Sequence, residues 1–367
     1  MSLITSEIIN NLGIITLNAE RSLNALSQPM VDQIQVLLDQ WRSNDTIHCV
    51  FLQGSGEKAF CAGGDIREMR QGIEEQAAID PTQIPQKCKT FFIAEYTLDY
   101  TIHTYSKPIV VWGDGIVMGG GLGLLAGASH RIVTERSLLA MPEISIGLYP
   151  DVGASFFLNQ MPSAYGLFLG MTGARINGAD AHYLGLADYV LPSFVKQQLI
   201  EKLTQLDPKL DINKQLKESL TAFELKDKTT SQAEANRLAI ESFEQVSDVL
   251  TFQQTIEKLA KNNAWIDAGY QIFKSGSPSS AAVIFRQLQL NKGKSLAFAF
   301  QTELNLSCQC AMHPDFPEGV RALLIDKDKN PQWTPALLEE ISQEWIDGYF
   351  YPLWTADQHP FKDWDKI

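Results

Sequence analysis

Two acids, Glu143 and Asp151, stand in the stretch MPEISIGLYPDVG (residues 141–153), whose other members are mostly apolar, glycine or proline. Acids ordinarily occupy solvated faces, and glycine and proline on either side argue against a solvated helix here. Their spacing of eight positions is too wide for neighbours on a helix, which stand three or four apart. If the fold brings them together, a carboxylate pair can divide acid and base work, or one can attack a carbonyl while the other handles protons. Two glycine-rich turns offer the complementary chemistry: KAFCAGGDIREM (58–69) and GIVMGGGLGLLAGA (115–128). Each follows an apolar segment and precedes an expected helix, so backbone N–H groups and the helix N-terminus point at open space. Two such turns converging would hold a developing oxyanion. Either turn alone is better read as a place where the chain bends tightly.

The elements that must position these residues alternate in the first half. Residues 13–18 and 47–55 read as strands, 28–43 as an amphipathic helix and 86–106 as a helical segment. KPIVVWGDGIV and HRIVTERS read as further strands, and GADAHYLGLADYVL as a short helix followed by a strand. Many short strands with intervening helices define an α/β layered fold. Past Leu191 the pattern turns helical, with Lys, Glu and Gln on the polar faces. The boundary falls near 192–210, giving a core over 1–195 that carries the site and a mainly helical region over 196–367. SGSPSSAAVIF carries a helix start, with serine ahead of proline and an apolar repeat. The tail EGVRALLIDKDKNPQWTPALLEEI reads as a strand or helix end, then a helix capped at Thr334-Pro335.

Composition narrows the function. The 367 residues suffice for a large core or two domains. A formal charge of −13 disfavours nonspecific binding to nucleic acid or an anionic membrane, and no apolar run approaches the roughly 18 residues of a membrane span. The opening MSLITSEIINNLGIITLN alternates like a strand and lacks a basic targeting stretch, so a cytoplasmic protein is expected. Five cysteines without regular spacing suggest free thiols, and Cys308 and Cys310, one residue apart, make a poor zinc pair. A dinucleotide fingerprint is mimicked by Gly121, Gly123 and Ala126 with Glu135 behind them. That acid follows the first glycine by 14 positions, against about 20 in the motif, so a nicotinamide enzyme is the rival class.

Taken in order, KAFCAGGDIREM, KPIVVWGDGIVMGGGLGL and MPEISIGLYPDVG resemble the crotonase (enoyl-CoA hydratase/isomerase) superfamily. Within it, FCAGGDI, Glu95 in IAEYTL, LYPDVG and HPDFPEGVRALLIDKDKNPQW resemble the 3-hydroxyisobutyryl-CoA hydrolase branch. The likeness spans nearly the whole chain and is weakest at about 195–275. It implies a spiral of ββα turns with a helical C-terminal region, an acyl-CoA substrate and, in many members, a homo-oligomer. It also implies oxyanion donors at Gly64 and Gly120, substrate contact at Glu95, and catalysis by Glu143, as nucleophile or general base, with Asp151 in support. Hydratases of the superfamily resemble G-G-G-x-E, whereas this chain has Gly123 at the acid's position. Water addition needs acid and base work at two centres, so the missing acid favours thioester hydrolysis. No metal or redox cofactor is expected, because carboxylates and backbone amides fill every role.

Each of these residues has a plainer reading. Glu143 would be a first-turn acid, Asp151 an N-cap for VGASFFLNQM, and Glu95 a solvated helical acid. Asp65 reads as a helix cap, His130 and His313 as structural, and Arg21 and Lys58 as surface charges. Two further functions stay open at this point: a hydratase or isomerase of the same fold, and a silent acyl-CoA-binding protein.

Overall fold

The computed structural model describes residues 2–226 and 230–366. The chain forms two compact units, each assembled from three segments: Met1–Gly64, Thr97–Leu139 and Ile176–Ala235 in the first, and Asp65–Tyr96, Ala140–Arg175 and Asn236–Ile367 in the second.

The first unit carries the strands: β1 (Ile4–Ile9), β2 (Leu12–Leu17), β3 (Cys49–Gly54), β4 (Ala59–Cys61), β5 (Ile109–Gly113), β6 (Ile116–Met118), β7 (His130–Thr134), β8 (Leu138–Ala140), β9 (Ile176–Asn177) and β10 (Tyr189–Leu191). One sheet runs β1-β2-β3-β5-β7-β10 and the other β4-β6-β8-β9. Past the antiparallel β1/β2 hairpin the larger sheet is parallel. Its central strands are buried along nearly their whole length, which is why CVFLQG and IVVWG show apolar runs instead of alternation. The expected strand over 107–117 is two strands, because the chain turns at Asp114-Gly115 and the second piece joins the smaller sheet beside β4.

Every described regular element past residue 196 is helical. The compact units divide the chain differently from the composition change near 195. Helices Lys196–Leu203 and Ile212–Thr221 lay Leu199, Leu203, Leu216 and Leu220 against Leu12, Phe51, Trp112 and Ile132 of the larger sheet. Burial of that apolar stripe makes them part of the sheet's own core.

The second unit is helical. Helix Pro278–Asn291 starts as its sequence predicts, with Ser277 Oγ accepting from Ser280 N and proline at the first position. Helix Leu296–Met312 is buried around most of its circumference, including Glu303, Ser307, Cys308 and Cys310. The helix expected at Thr334-Pro335 does not form there. The Thr334 N–H donates instead to Asp315 Oδ1 at 2.8 Å, and the next full helix is Gln343–Phe350, capped by Ser342.

Candidate functional site

In the first unit the two glycine turns meet. β4 and β6 pair in parallel just ahead of them, and a Cβ added to Gly121 would lie 2.3 Å from the Cys61 carbonyl oxygen. Glycine at 121 therefore has a steric reason: any side chain would force the two turns apart. Gly63, at φ +104, places its Cβ direction 3.7 Å from Gly120 N, and Gly64 forms a parallel bridge with Leu26. Gly120 is the first residue of helix Gly120–Ala126, so its N–H has no acceptor within its own helix. The dinucleotide reading loses its acid here, since Glu135 accepts from Ser193 N and Ser193 Oγ.

In the second unit, Glu95, Glu143 and Asp151 are all buried, at 3%, 5% and 5% exposure. The helical segment Gln86–His103 carries Glu95, and the 3-10 turn Glu143–Ile146 begins at Glu143. That turn ends at Gly147, φ +71, where a Cβ would come within 2.3 Å of the Asp315 backbone. Glu143 Oε2 and Glu95 Oε1 are buried with no hydrogen-bond partner. Burial, then the charge of Asp151, pushes both of these acids well above the ordinary carboxylate range. Burial raises Asp151 to about 6, opposed by its bond with Tyr96 and by its own backbone N–H.

Asp151 does not cap the helix that follows. The N-cap of Ala154–Phe157 is Gly153, with no side-chain bond from Asp151. A different acid does that work: Glu303 Oε2 accepts from Gly153 N at 2.7 Å, and Oε1 from Ser155 N at 3.0 Å and Ser155 Oγ at 2.5 Å. Burial raises Glu303 to about 8, with those three donors working against the shift. Val152, between Asp151 and this cap, sits at φ +55, an uncommon conformation for a β-branched residue. Glu303 thus pins a strained turn that carries Asp151.

Asp151 Oδ2 lies 2.5 Å from Tyr96 Oη, which lies 2.6 Å from Ser307 Oγ. Ser307 Oγ is 2.7 Å from Tyr149 Oη, and Tyr149 Oη donates to the Glu303 carbonyl oxygen at 2.6 Å. Sequence reasoning passed over Tyr96, Tyr149, Ser307 and Glu303. Two of them adjoin flagged motifs, and Glu303 had its own signal as the lone acid of LAFAFQTELNLSCQCAM.

The remaining expectations resolve simply. Asp65 accepts from Glu68 N and caps helix Ile66–Ala77. His130 stacks on Tyr189 and His313 on Tyr349. Arg21 and Lys58 are exposed.

A parallel-stranded unit with paired glycine turns, in a chain that also buries Glu95, Glu143 and Asp151 in a helical unit, has the features of an enzyme. Residues 12–350 match the family model described as enoyl-CoA hydratase/isomerase, and the chain belongs to that family. It is 36% identical over 349 residues to a protein of Gallus gallus named "3-hydroxyisobutyryl-CoA hydrolase, mitochondrial", covering 94% of this chain and 88% of that one. The Homo sapiens protein of the same name is 34% identical over 352 residues, with 94% and 87% covered. Among solved structures, a carnitinyl-CoA dehydratase from Mycobacterium thermoresistibile superposes with a TM-score of 0.86 at 28% identity, covering 96% of this chain and 97% of that one. An enoyl-CoA hydratase from Rhodobacter sphaeroides 2.4.1 gives 0.84 at 30% identity, covering 96% and 98%. The fold is thus shared by proteins named for hydrolysis and for water addition or removal, and only the site residues separate the two.

Proposed function

We propose that the protein hydrolyses 3-hydroxyisobutyryl-CoA to 3-hydroxyisobutyrate and CoA, a step of valine breakdown. The observation that carries this reading is Glu143: a buried acid with an unpartnered oxygen, electrostatically linked to Asp151 and Glu95. A buried carboxyl oxygen left without a donor is costly and is the pattern of a reacting group. In this reading the Glu143 carboxylate attacks the thioester carbon, or takes the proton of a water that does. The C–S bond breaks and the thiolate leaves with a proton. If Glu143 attacked, water then splits the mixed anhydride and regenerates Glu143; if water attacked, the free acid is already formed. Asp151 handles that proton or the substrate hydroxyl, and Glu95 contacts the acyl group. The family likeness assigns the Gly64 and Gly120 N–H groups to the carbonyl oxygen as its charge develops. Gly123 supports hydrolysis over hydration, because a β-hydroxyacyl thioester beside a well-placed acid pair would also eliminate water.

These roles need no metal or redox cofactor, so activity should survive chelator and the absence of NAD. Thiol release from 3-hydroxyisobutyryl-CoA, run beside hydration of crotonyl-CoA, is the deciding assay. Thiol release without hydration supports the reading, and hydration without thiol release overturns it. The names of the relatives say mitochondrial; fractionation of cells producing the protein determines its compartment.

A further inference from the structure

The contacts around Asp151 contain a proton-counting problem. Five oxygens in series, Asp151 Oδ2, Tyr96 Oη, Ser307 Oγ, Tyr149 Oη and the Glu303 carbonyl, make four contacts of 2.5 to 2.7 Å. Oxygens so close need a hydrogen between each pair, yet the three hydroxyls supply three. The Tyr149 hydrogen goes to the carbonyl, which can only accept. If Asp151 is ionised, Tyr96 donates to it, and the single Ser307 hydrogen must serve both tyrosines. One contact is then left as two facing lone pairs. A hydrogen on Asp151 closes the series: Asp151 donates to Tyr96, Tyr96 to Ser307, Ser307 to Tyr149 and Tyr149 to the carbonyl.

We propose that Tyr96, Ser307 and Tyr149 act as one unit that favours a proton on Asp151 and thereby the negative charge on Glu143, with Ser307 as the positioning residue. Acids that share a site do not all ionise together. The titratable groups whose charge Asp151 affects are Glu95 and Tyr96 on the segment Gln86–His103, Glu143 and Tyr149 in the 143–151 stretch, and Glu303 and Cys310 on helix Leu296–Met312. None of these is a cation that would hold Asp151 ionised. Burial raises the proton affinity of Asp151 and of Glu143 alike. The hydroxyl series adds to it at Asp151, because its fourth contact exists only when Asp151 is protonated.

The count gives signs that a packing role does not. Ser307→Ala removes two contacts and one hydrogen, leaving two contacts and two hydrogens, balanced with Asp151 ionised. Tyr149→Phe likewise leaves two and two. Tyr96→Phe instead strips the ionised carboxylate of its donor. The proton affinity of Asp151 should therefore fall about tenfold in Ser307→Ala, the worth of about one net hydrogen bond, fall in Tyr149→Phe, and rise in Tyr96→Phe. Ser307→Thr, which keeps the hydroxyl, should restore it. The proposal rests on the hydrolase reading only for the use made of the proton. The test is accordingly an infrared titration of the free, full-length protein, following the carboxyl C=O band that disappears in Asp151→Asn. A midpoint lowered in Ser307→Ala and restored in Ser307→Thr supports the proposal; an unchanged or raised midpoint in Ser307→Ala overturns it. If circular dichroism shows Ser307→Ala unfolded, the opposite shifts of Tyr149→Phe and Tyr96→Phe decide, and shifts of one sign overturn it. Loss of thiol release from every acyl-CoA tried would sink the hydrolase reading and leave this titration standing.

Discussion

Two sets of buried acids in this chain have opposite surroundings. Asp180, Asp315 and Glu303 are each 1% exposed or less and are surrounded by donors. Asp180 accepts from Asn177 N, Ser231 Oγ and Ala233 N. Asp315 accepts from Ser277 Oγ and Thr334 N, and Glu303 from Gly153 and Ser155. These acids tie chain segments together, as donor-rich buried acids do. Glu95 and Glu143 are as well buried, yet each has an oxygen with no partner and like charge nearby. Burial alone therefore says little about an acid's purpose. The donors around it separate an acid that holds the fold from one kept available to react.

The largest expected effect tests the donor-poor set. Glu143→Gln should lower kcat for thiol release by about a thousandfold, within the range for loss of a principal base or nucleophile. CoA affinity should hold, because binding comes from remote contacts. Retention of a tenth of the wild-type kcat would remove Glu143 from that role. The fold should not suffer, since the variant strips no donor of its acceptor.

Glu303→Ala should do the reverse. It leaves Gly153 N, Ser155 N and Ser155 Oγ without their acceptor, at about 1–3 kcal/mol for each group that stays buried and unsatisfied. Urea unfolding should show a loss of about 3 kcal/mol or more. A loss under about 1 kcal/mol would mean that the turn at Val152 holds itself.

A subtler test is the slope of stability with pH. Asp151 and Glu303 have folded values of about 6 and about 8, above their ordinary 3.8 and 4.5. The native state therefore binds more protons than the unfolded chain, and their contribution weakens as pH rises. For Asp151 the window runs from about 4 to about 6, and for Glu303 from about 4.5 to about 8. Unfolding free energies measured across pH 5 to 8 should show a less negative slope in Asp151→Asn than in wild type. An unaltered slope would mean that Asp151 titrates alike in both states.

The smallest effect belongs to an acid with donors but little burial. Asp248 accepts from Thr251 N at 2.7 Å and caps helix Val249–Ala260. Asp248→Ala should cost about 1 kcal/mol, the usual worth of a cap. A loss as large as that of Glu303→Ala would show that donors rank these acids without regard to burial.

Much of this chain could be read without coordinates, and the reason is locality. The parallel strands, the helix at Gln28–Arg42 and the cap at Ser277 follow from periodicity and capping residues a few positions apart. The glycine turns and the acids Glu143 and Asp151 stood out for the same reason: each was anomalous among its immediate neighbours. Thr334-Pro335 shows the limit, since a good local helix start lost to a hydrogen bond with Asp315, far away in sequence. Tertiary structure alone decided that Glu303, and not Asp151, caps the turn at Gly153, across 150 positions. It also decided that Tyr96 and Ser307, separated by 211 positions, share a hydrogen bond beside Asp151. A sequence specifies which side chains have donors and acceptors to offer. Which donor reaches which acid depends on how helices pack, and there the balance between a structural carboxylate and a reactive one is struck.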